Sequence, residues 1–487
     1  MGSEQRMYFF RCSVFLLSLL ALGLESPAVQ APVTDRGSQV VEARPQIGFI
    51  QTPLLLFGEL GKRFPQGSRL VRMATEAQPR TLTNLTPQFF AVADPQVSFD
   101  GRMLLFSGQM KKDGVWQIWE MDLDGSDPHQ LTRCRGDCLQ PAYLPRNQIV
   151  YTSVDRDGPE VTSALFVCEG DGKNAHPITF GPGDFQVETV MHGGRILVSA
   201  ESPLHGSGKA LKHRTLYTIN PDGTGLSRFR QDASAVSANT RVEELEDGTV
   251  LFVQASDSGG PQGGGAIAWI APGALRSRVI TAQPFVYESV HELQTGTLLV
   301  AKQSSVRSIA SRSFDLYTFD LASKSLLDRL DHQPGISDVS AVALVPRSAP
   351  LSYPSILHPE EKVGRVLCLN SYVSADAPHG HIATSIVQVR VTALEQGNHE
   401  RVLGSAPVEK DGSFYMAVPS DVPIRFELLD EKGSVIRAQK SWIWARPGED
   451  RGCLGCHEDQ ALAPENHWPL TLNRFDTPTP VGVSVHP

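Results

Sequence analysis

An all-β chain, with a β-propeller of about six blades, then a small β-sandwich and a short C-terminal segment, is predicted by three observations. A unit of four short β-rich runs with Asp-Gly turns recurs within residues 45–350. After Pro354 the composition shifts to brief β-branched and aromatic runs over residues 362–445. Residues 446–487 carry one Cys-x-x-Cys-His motif.

The clearest repeat covers residues 94–107, turning at Asp100-Gly101, then 116–125, turning at Asp124-Gly125, then His129-Gln130-Leu131-Thr132. Apolar runs separated by Asp-Gly are hairpin signals, so the unit reads as four strands. Weaker copies follow at spacings of roughly 45 to 55 residues, near the length of a propeller blade. They include Gln140-Pro141 with 149–152, 195–198 with 216–223, 247–253 with 268–270, and 297–300 with 316–320. Partial units at 69–73 with 80–83, and at 339–344, predict one blade closed by strands from both ends of the domain. Radial stacking of this kind protects sheet edges. The Ser/Phe-Asp-Gly and Met-Asp-x-Asp-Gly signatures resemble TolB-type, WD40-like propeller repeats. Asp122, Asp124 and Asp127 look like the start of a calcium loop, but the late bidentate Glu is missing, so turn chemistry is the expectation.

In the second unit, strands are expected at 363–369, 386–394, 414–418, 424–429 and 435–444, with turns at Asp411-Gly412 and Glu431-Lys432-Gly433. Runs this short with frequent turns read as a β-sandwich. The stretch Ser441-Trp442-Ile443-Trp444-Ala445-Arg446-Pro447 looks like a strand entering a Pro-Gly turn, not the amphipathic helix that precedes the motif in a full cytochrome c domain.

Cys453-Leu454-Gly455-Cys456-His457 is the attachment signature of a c-type haem. Cys453 and Cys456 would form thioethers to the two vinyl groups of one porphyrin, and His457 would be the proximal iron ligand. A zinc site needs four N or S ligands, and no second pair lies nearby to complete one. A thioredoxin-like Cys-x-x-Cys opens a helix after a strand, whereas Arg446-Pro447-Gly448-Glu449-Asp450 precedes this one. One covalent haem c per chain is therefore expected.

Haem c is attached outside the bacterial cytoplasm, and residues 1–31 read as the signal peptide this requires. Arg6 and Arg11 form the basic region, residues 12–24 the apolar core, and Ser26, Ala28 and Ala31 the small-residue region. The apolar run is too short for an ordinary membrane span of about 20 residues. Pro32 disfavours a cut after Ala31, leaving cleavage after Ala28 or retention as an anchor; membrane association is expected only in the second case. A periplasmic or otherwise exported location follows. The 487 residues carry a formal net charge of −9 and a mean hydropathy of −0.16. That composition suits a soluble exported protein and excludes a broad basic surface for nucleic acid. Of seven cysteines, Cys12 lies in the leader and two would hold haem, leaving Cys134, Cys138, Cys168 and Cys368. Cys134-Arg-Gly-Asp-Cys138 lies in a loop of a chain bound for an oxidising compartment, where a short-loop disulfide is one option and two free thiols the other.

Three stretches of the sandwich region then carry a family resemblance. These are Lys410-Asp411-Gly412-Ser413-Phe414, the run 418–423, and 429–433, followed by Ser441 through Glu449 leading into the haem motif. Together with the propeller repeats they resemble the hydrazine synthase alpha-subunit family. The resemblance implies c-type haem, with Cys453 and Cys456 as attachments and His457 as proximal ligand. It also implies other subunits of a periplasmic complex, or a redox partner protein, as partners. Hydrazine synthase needs more than one haem, and this chain has one motif. The Tyr that the family places one helical turn past the proximal His is Ala461 here, so hydrazine synthesis by this chain alone is not expected.

The sixth iron position separates an electron carrier from a reactive site. His467, in Pro464-Glu465-Asn466-His467-Trp468-Pro469, is the nearest candidate distal ligand, with an exposed loop His as the alternative. His379-Gly380-His381 is the second candidate pair, with an ordinary polar turn after Pro378 as the alternative. No G-x-S-x-G, H-E-x-x-H or P-loop motif supports hydrolase chemistry, and no catalytic residue is assigned. Two functions are expected to compete. One is an exported monohaem redox protein, either an electron carrier or the haem subunit of an oxidoreductase. The other is a propeller-based binding or scaffold protein whose haem is structural or sensory.

Overall fold

The computed structural model describes residues 45–56, 60–75, 79–156, 162–202, 213–229, 238–255, 264–274, 276–281, 285–304, 313–374, 377–395, 399–439, 441–455 and 467–483. The expected signal peptide and two members of the haem motif, Cys456 and His457, lie outside these residues. Among the described residues, six four-stranded antiparallel sheets form a closed ring, and two further four-stranded sheets follow. The innermost strands of the ring are Ala91–Val97, Asp137–Leu144, Phe185–Val190, Ala238–Glu244, Tyr287–Gln294 and Ser337–Ala343, each packed on the next. The fold is an all-β, six-bladed propeller followed by a β-sandwich.

Two features of the repeat explain the ring. Two turn glycines are closely approached by the preceding blade: at φ 91° Gly125 would put a Cβ 3.2 Å from the carbonyl oxygen of Leu85, and a Cβ on Gly172 (φ 79°) would collide with the Leu131 carbonyl. A Leu/Ile-Thr step after four of the six outer strands ties that strand inward. Thr86, Thr132, Thr179 and Thr281 each accept a hydrogen bond from an amide of the neighbouring strand, at Leu70, Ile118, Leu165 and Ile267, over 2.8–3.0 Å. Cys134 and Cys138 form a disulfide with a Cα separation of 6.2 Å, Cys134 three residues before strand Asp137–Leu144 and Cys138 its second residue. Asp122 and Asp124 accept from Ser126 Oγ at 3.1 and 2.6 Å, which is turn chemistry.

Strand Ser337–Ala343 closes the ring by pairing with Gln46–Thr52, with Ile47 opposite Ala343 and Thr52 opposite Ser337. Gln46–Thr52, an almost wholly buried strand, was not among the runs named from the sequence. At this seam Gln51 Nε2 donates to both Asp338 Oδ1 and Asp331 Oδ2 at 3.0 Å. Burial, then the charges of Asp331 and Asp315, push the Asp338 carboxyl up to about 8. Its folded value thus lies above its unfolded value near 4, so the unfolded chain binds fewer protons between those limits, and stability falls as pH rises from about 4 to about 8. Melting temperatures measured across that range should decline less steeply in Asp338→Asn than in the parent chain. Parallel curves would show that Asp338 ionises normally in the closed blade.

The sandwich comprises one sheet ordered Asp450–Cys453, Val363–Cys368, Phe414–Pro419, Thr479–Pro480, and another ordered His399–Pro407, Gln388–Glu395, Ile424–Leu429, Val435–Ala438. Val366, Phe414 and Met416 from the first meet Val389, Val391 and Ile424 from the second in one core. The run 435–444 does not form one strand. It ends at Ala438, Ile443 makes a single bridge to Ile424, and Trp444 leaves the sandwich for the propeller core.

Candidate cofactor-binding site

The approach to the haem motif is fixed by the propeller. Trp444 is fully buried among blade residues, edge-on to Phe180 and Phe185 at 5.9 and 5.7 Å, and its Nε1 donates to the Gly223 carbonyl at 3.1 Å. Arg446 donates from Nε to the Asp222 carbonyl at 2.9 Å and from Nη1 to Asp421 Oδ1 at 2.8 Å, and it lies over the Phe180 ring. Glu449 Oε2 turns back to accept from the Arg446 amide at 2.7 Å. The Asp222-Gly223 turn of one blade is thus the dock for residues 444–449, and Pro447-Gly448 (Gly448 φ 73°) reverses the chain into the next strand.

That strand, Asp450–Cys453, is an edge strand running parallel to Val363–Cys368, with Arg365 opposite Asp450 and Cys368 opposite Cys453. Its sequence has little strand propensity, so pairing and side-chain clamps make it a strand. Arg365 Nε donates to Asp450 Oδ1 at 2.7 Å, Tyr415 OH donates to the same oxygen at 3.1 Å, and the Leu369 amide donates to the Cys453 carbonyl at 2.9 Å. Cys453 is half-buried against the sandwich core. A Cβ on Gly455 would collide with the Val373 carbonyl, so the spacer of the motif needs glycine there.

Val373 also bridges His381, whose ring stacks on Tyr372 with centroids 5.5 Å apart. The His379-Gly380-His381 turn is therefore brought up beside the motif; His379 has φ 57° and both histidines are exposed. On the far side of the undescribed stretch 456–466, the chain returns to the same sheet. Asp411 Oδ2 lies 3.2 Å from His467 Nε2 and accepts from the Leu470 amide at 2.8 Å, and Thr479–Pro480 pairs with Met416 and Ala417. Burial opposes ionisation of Asp411, but the Leu470 amide, Ser413 and His467 outweigh it and hold the carboxyl below its ordinary range. Iron ligation by His467 would use Nδ1, or would displace this contact with Asp411. A thioether-linked porphyrin fits these residues: a half-buried thiol at the end of an edge strand, a glycine spacer, and exposed apolar Trp468, Leu470 and Phe475 in the returning segment.

Sequence reasoning missed a second cluster, on the propeller axis. Every innermost strand has a register break, and the polar residues set free there are Asp94, Gln140, Glu188, Arg241, Glu288 and Ser340. Four of them adopt left-handed backbone, with φ from 51° to 56° (Asp94, Gln140, Arg241, Ser340). Pro95 and Pro141, proline inside a strand, were the available signal. Asp94, Gln140, Glu188, Arg241 and Ser340 line a cavity of about 80 Å³. The ring also joins blades: the Gln140 amide donates to Asp94 Oδ2 at 3.1 Å and the Arg241 amide to Glu188 Oε2 at 2.8 Å. Arg63 enters the axis and pairs with Glu288, which lies 3.3 Å from Arg241 Nε. Burial, then Arg241, lower Arg63 to about 10, which leaves it charged at neutral pH. Arg241→Met would leave Asp94 without its cation and Glu288 with Arg63 alone, at a cost of about 3–5 kcal/mol. Urea unfolding should show that loss; a change below about 1 kcal/mol would mean that Arg63 and water suffice.

Residues 361–458 match the family described as the hydrazine synthase alpha subunit middle domain. The chain is 22% identical to the hydrazine synthase subunit alpha of Kuenenia stuttgartiensis, over 93% of this chain and 70% of that protein. The solved Kuenenia stuttgartiensis hydrazine synthase superposes with a TM-score of 0.75 at 19% identity, covering 88% of this chain and 71% of the other. A looser likeness, to TolB from Acinetobacter baumannii, has a TM-score of 0.42 at 12% identity over 60% of this chain and 66% of that one. The chain thus resembles hydrazine synthase alpha along most of its length, in fold and in sequence.

Proposed function

We propose that this chain is an exported, single-haem c-type redox subunit of an oxidoreductase assembled like hydrazine synthase, working with other subunits. One observation carries the reading: the match to the middle domain ends at residue 458, one residue past His457, so the Cys-x-x-Cys-His motif falls inside the matched domain. Cys453 and Cys456 would hold the porphyrin and His457 its iron. The group would supply one-electron chemistry or an open iron position. The protein's own part is orientation. Arg365 and Tyr415 fix Asp450 at the start of the strand, Trp444 and Arg446 fix the strand to the propeller, and Asp411 positions His467. Ala461, where the family resemblance implies Tyr, points to redox work within a complex over hydrazine synthesis by this chain alone.

An absorption spectrum and a pyridine haemochrome assay of the purified full chain test the reading, with one covalent haem per chain expected. The ferric iron is expected to be high-spin, because His467 is engaged by Asp411, and His467→Ala should leave the spectrum unchanged. Conversion from low-spin to high-spin in that variant would make His467 the sixth ligand. Absence of covalent haem from chain matured in a host competent for c-type attachment would overturn the proposal.

A further inference from the structure

Cys368 is a third cysteine at the proposed attachment site, and in the structure neither it nor Cys453 is in a disulfide. Strands Val363–Cys368 and Asp450–Cys453 run parallel and in register, and both end on the paired cysteines. Adjacent strands lie about 4.7–4.9 Å apart, inside the window of about 4.4–6.8 Å between Cα atoms that a disulfide spans. Strand alternation puts Cys368 with Val366 on the core side, and Cys453 packs against the same core, so both sulfurs lie on one face of the sheet. The hydrogen bond from the Leu369 amide to the Cys453 carbonyl, 2.9 Å, holds the register at this end. A buried cysteine can be only a small apolar filler; opposition to an attachment cysteine in register is what sets this one apart.

We infer that Cys368 and Cys453 form a disulfide in the haem-free chain, a reducible cap on one attachment thiol; the role as a cap rests on the haem reading. A disulfide oxidant such as oxidised glutathione takes two electrons: one S–S bond forms between the cysteines, both thiol protons leave, and the oxidant becomes two thiols. A dithiol reverses the step. Thioether formation then needs no oxidant, because the Cys453 S–H adds across a vinyl group, sulfur to one carbon and hydrogen to the other. Haem attachment would therefore require reduction at Cys368–Cys453 first.

The test uses the full chain, parent and Cys456→Ala, produced in a host without c-type haem attachment. Each is exposed to oxidised glutathione in native buffer, alkylated, digested without reduction and mapped by mass spectrometry, with Cys134–Cys138 as internal reference. The expected result is a Cys368–Cys453 cross-linked peptide in both proteins, lost after dithiothreitol. Alkylated Cys368 and Cys453 in Cys456→Ala would overturn the inference, as would a link that forms only in urea. Separately, the haemochrome assay on matured parent chain reports the haem reading: its failure removes the role as a cap and leaves the disulfide result standing.

Discussion

Replacing both Cys453 and Cys456 by alanine should abolish covalent haem, taking the acid-stable haemochrome from one per chain to none. The chemistry leaves no substitute at the motif, since thioether attachment needs a sulfur nucleophile and His457 can only ligate. The fold should tolerate the change. Cys453 is half-buried at the end of an edge strand whose register is held by Arg365, Tyr415 and the Leu369 amide, none of which the substitution touches. A melting temperature close to that of haem-free parent chain kept reduced with dithiothreitol, within about 1 kcal/mol of stability, is the expected control. Single variants should each retain some haem through the remaining thioether. Covalent haem in the double variant would sink the assignment of the motif, and with it the redox reading.

The parts of this molecule written in local sequence are those held by local chemistry. Asp-Gly turns such as Asp124-Gly125 and the Leu-Thr step at Leu131-Thr132 appear in the chain as they act in the fold, through left-handed glycine and a threonine accepting an amide bond. The spacing of Cys453, Cys456 and His457 is likewise the whole source of the haem expectation, and of the three only Cys453 lies in the described residues. Where a neighbour from another part of the chain creates the element, the sequence is silent. Asp-Arg-Gly-Cys has no strand pattern and becomes a strand only beside Val363–Cys368. His399–Pro407 is largely exposed, so it lacks the alternation that marks a buried strand. The axial ring is silent for a related reason: six residues of mixed type become one cluster only because each blade bulges at the same height. The pairing of Cys368 with Cys453 depends on register, which the 84 intervening residues do not encode locally.

Trp444→Ala should be the most damaging single change outside the haem motif, lowering stability by about 3–5 kcal/mol, as for other fully buried large-to-small substitutions. The residue fills space among Phe180, Phe185 and the neighbouring blade core, and loses its Nε1 bond to Gly223 as well. Its effect should reach the cofactor, because Trp444, Arg446 and Glu449 form the continuous anchor from the Asp222-Gly223 turn to strand Asp450–Cys453, and Arg451 Nη1 bonds back to the Trp444 carbonyl at 2.9 Å. With the anchor loosened, the edge strand keeps its sandwich pairing but loses its tie to the propeller, and haem occupancy should fall in step with stability. Trp444→Phe retains an aromatic ring between Phe180 and Phe185 and gives up the hydrogen bond, so it should cost less, about 1–2 kcal/mol, and keep most of the haem. Urea unfolding and haemochrome yield measured on the same preparations separate the outcomes. Full haem occupancy in a strongly destabilised Trp444→Ala would mean that the sandwich alone presents the motif and that the propeller contact is purely structural.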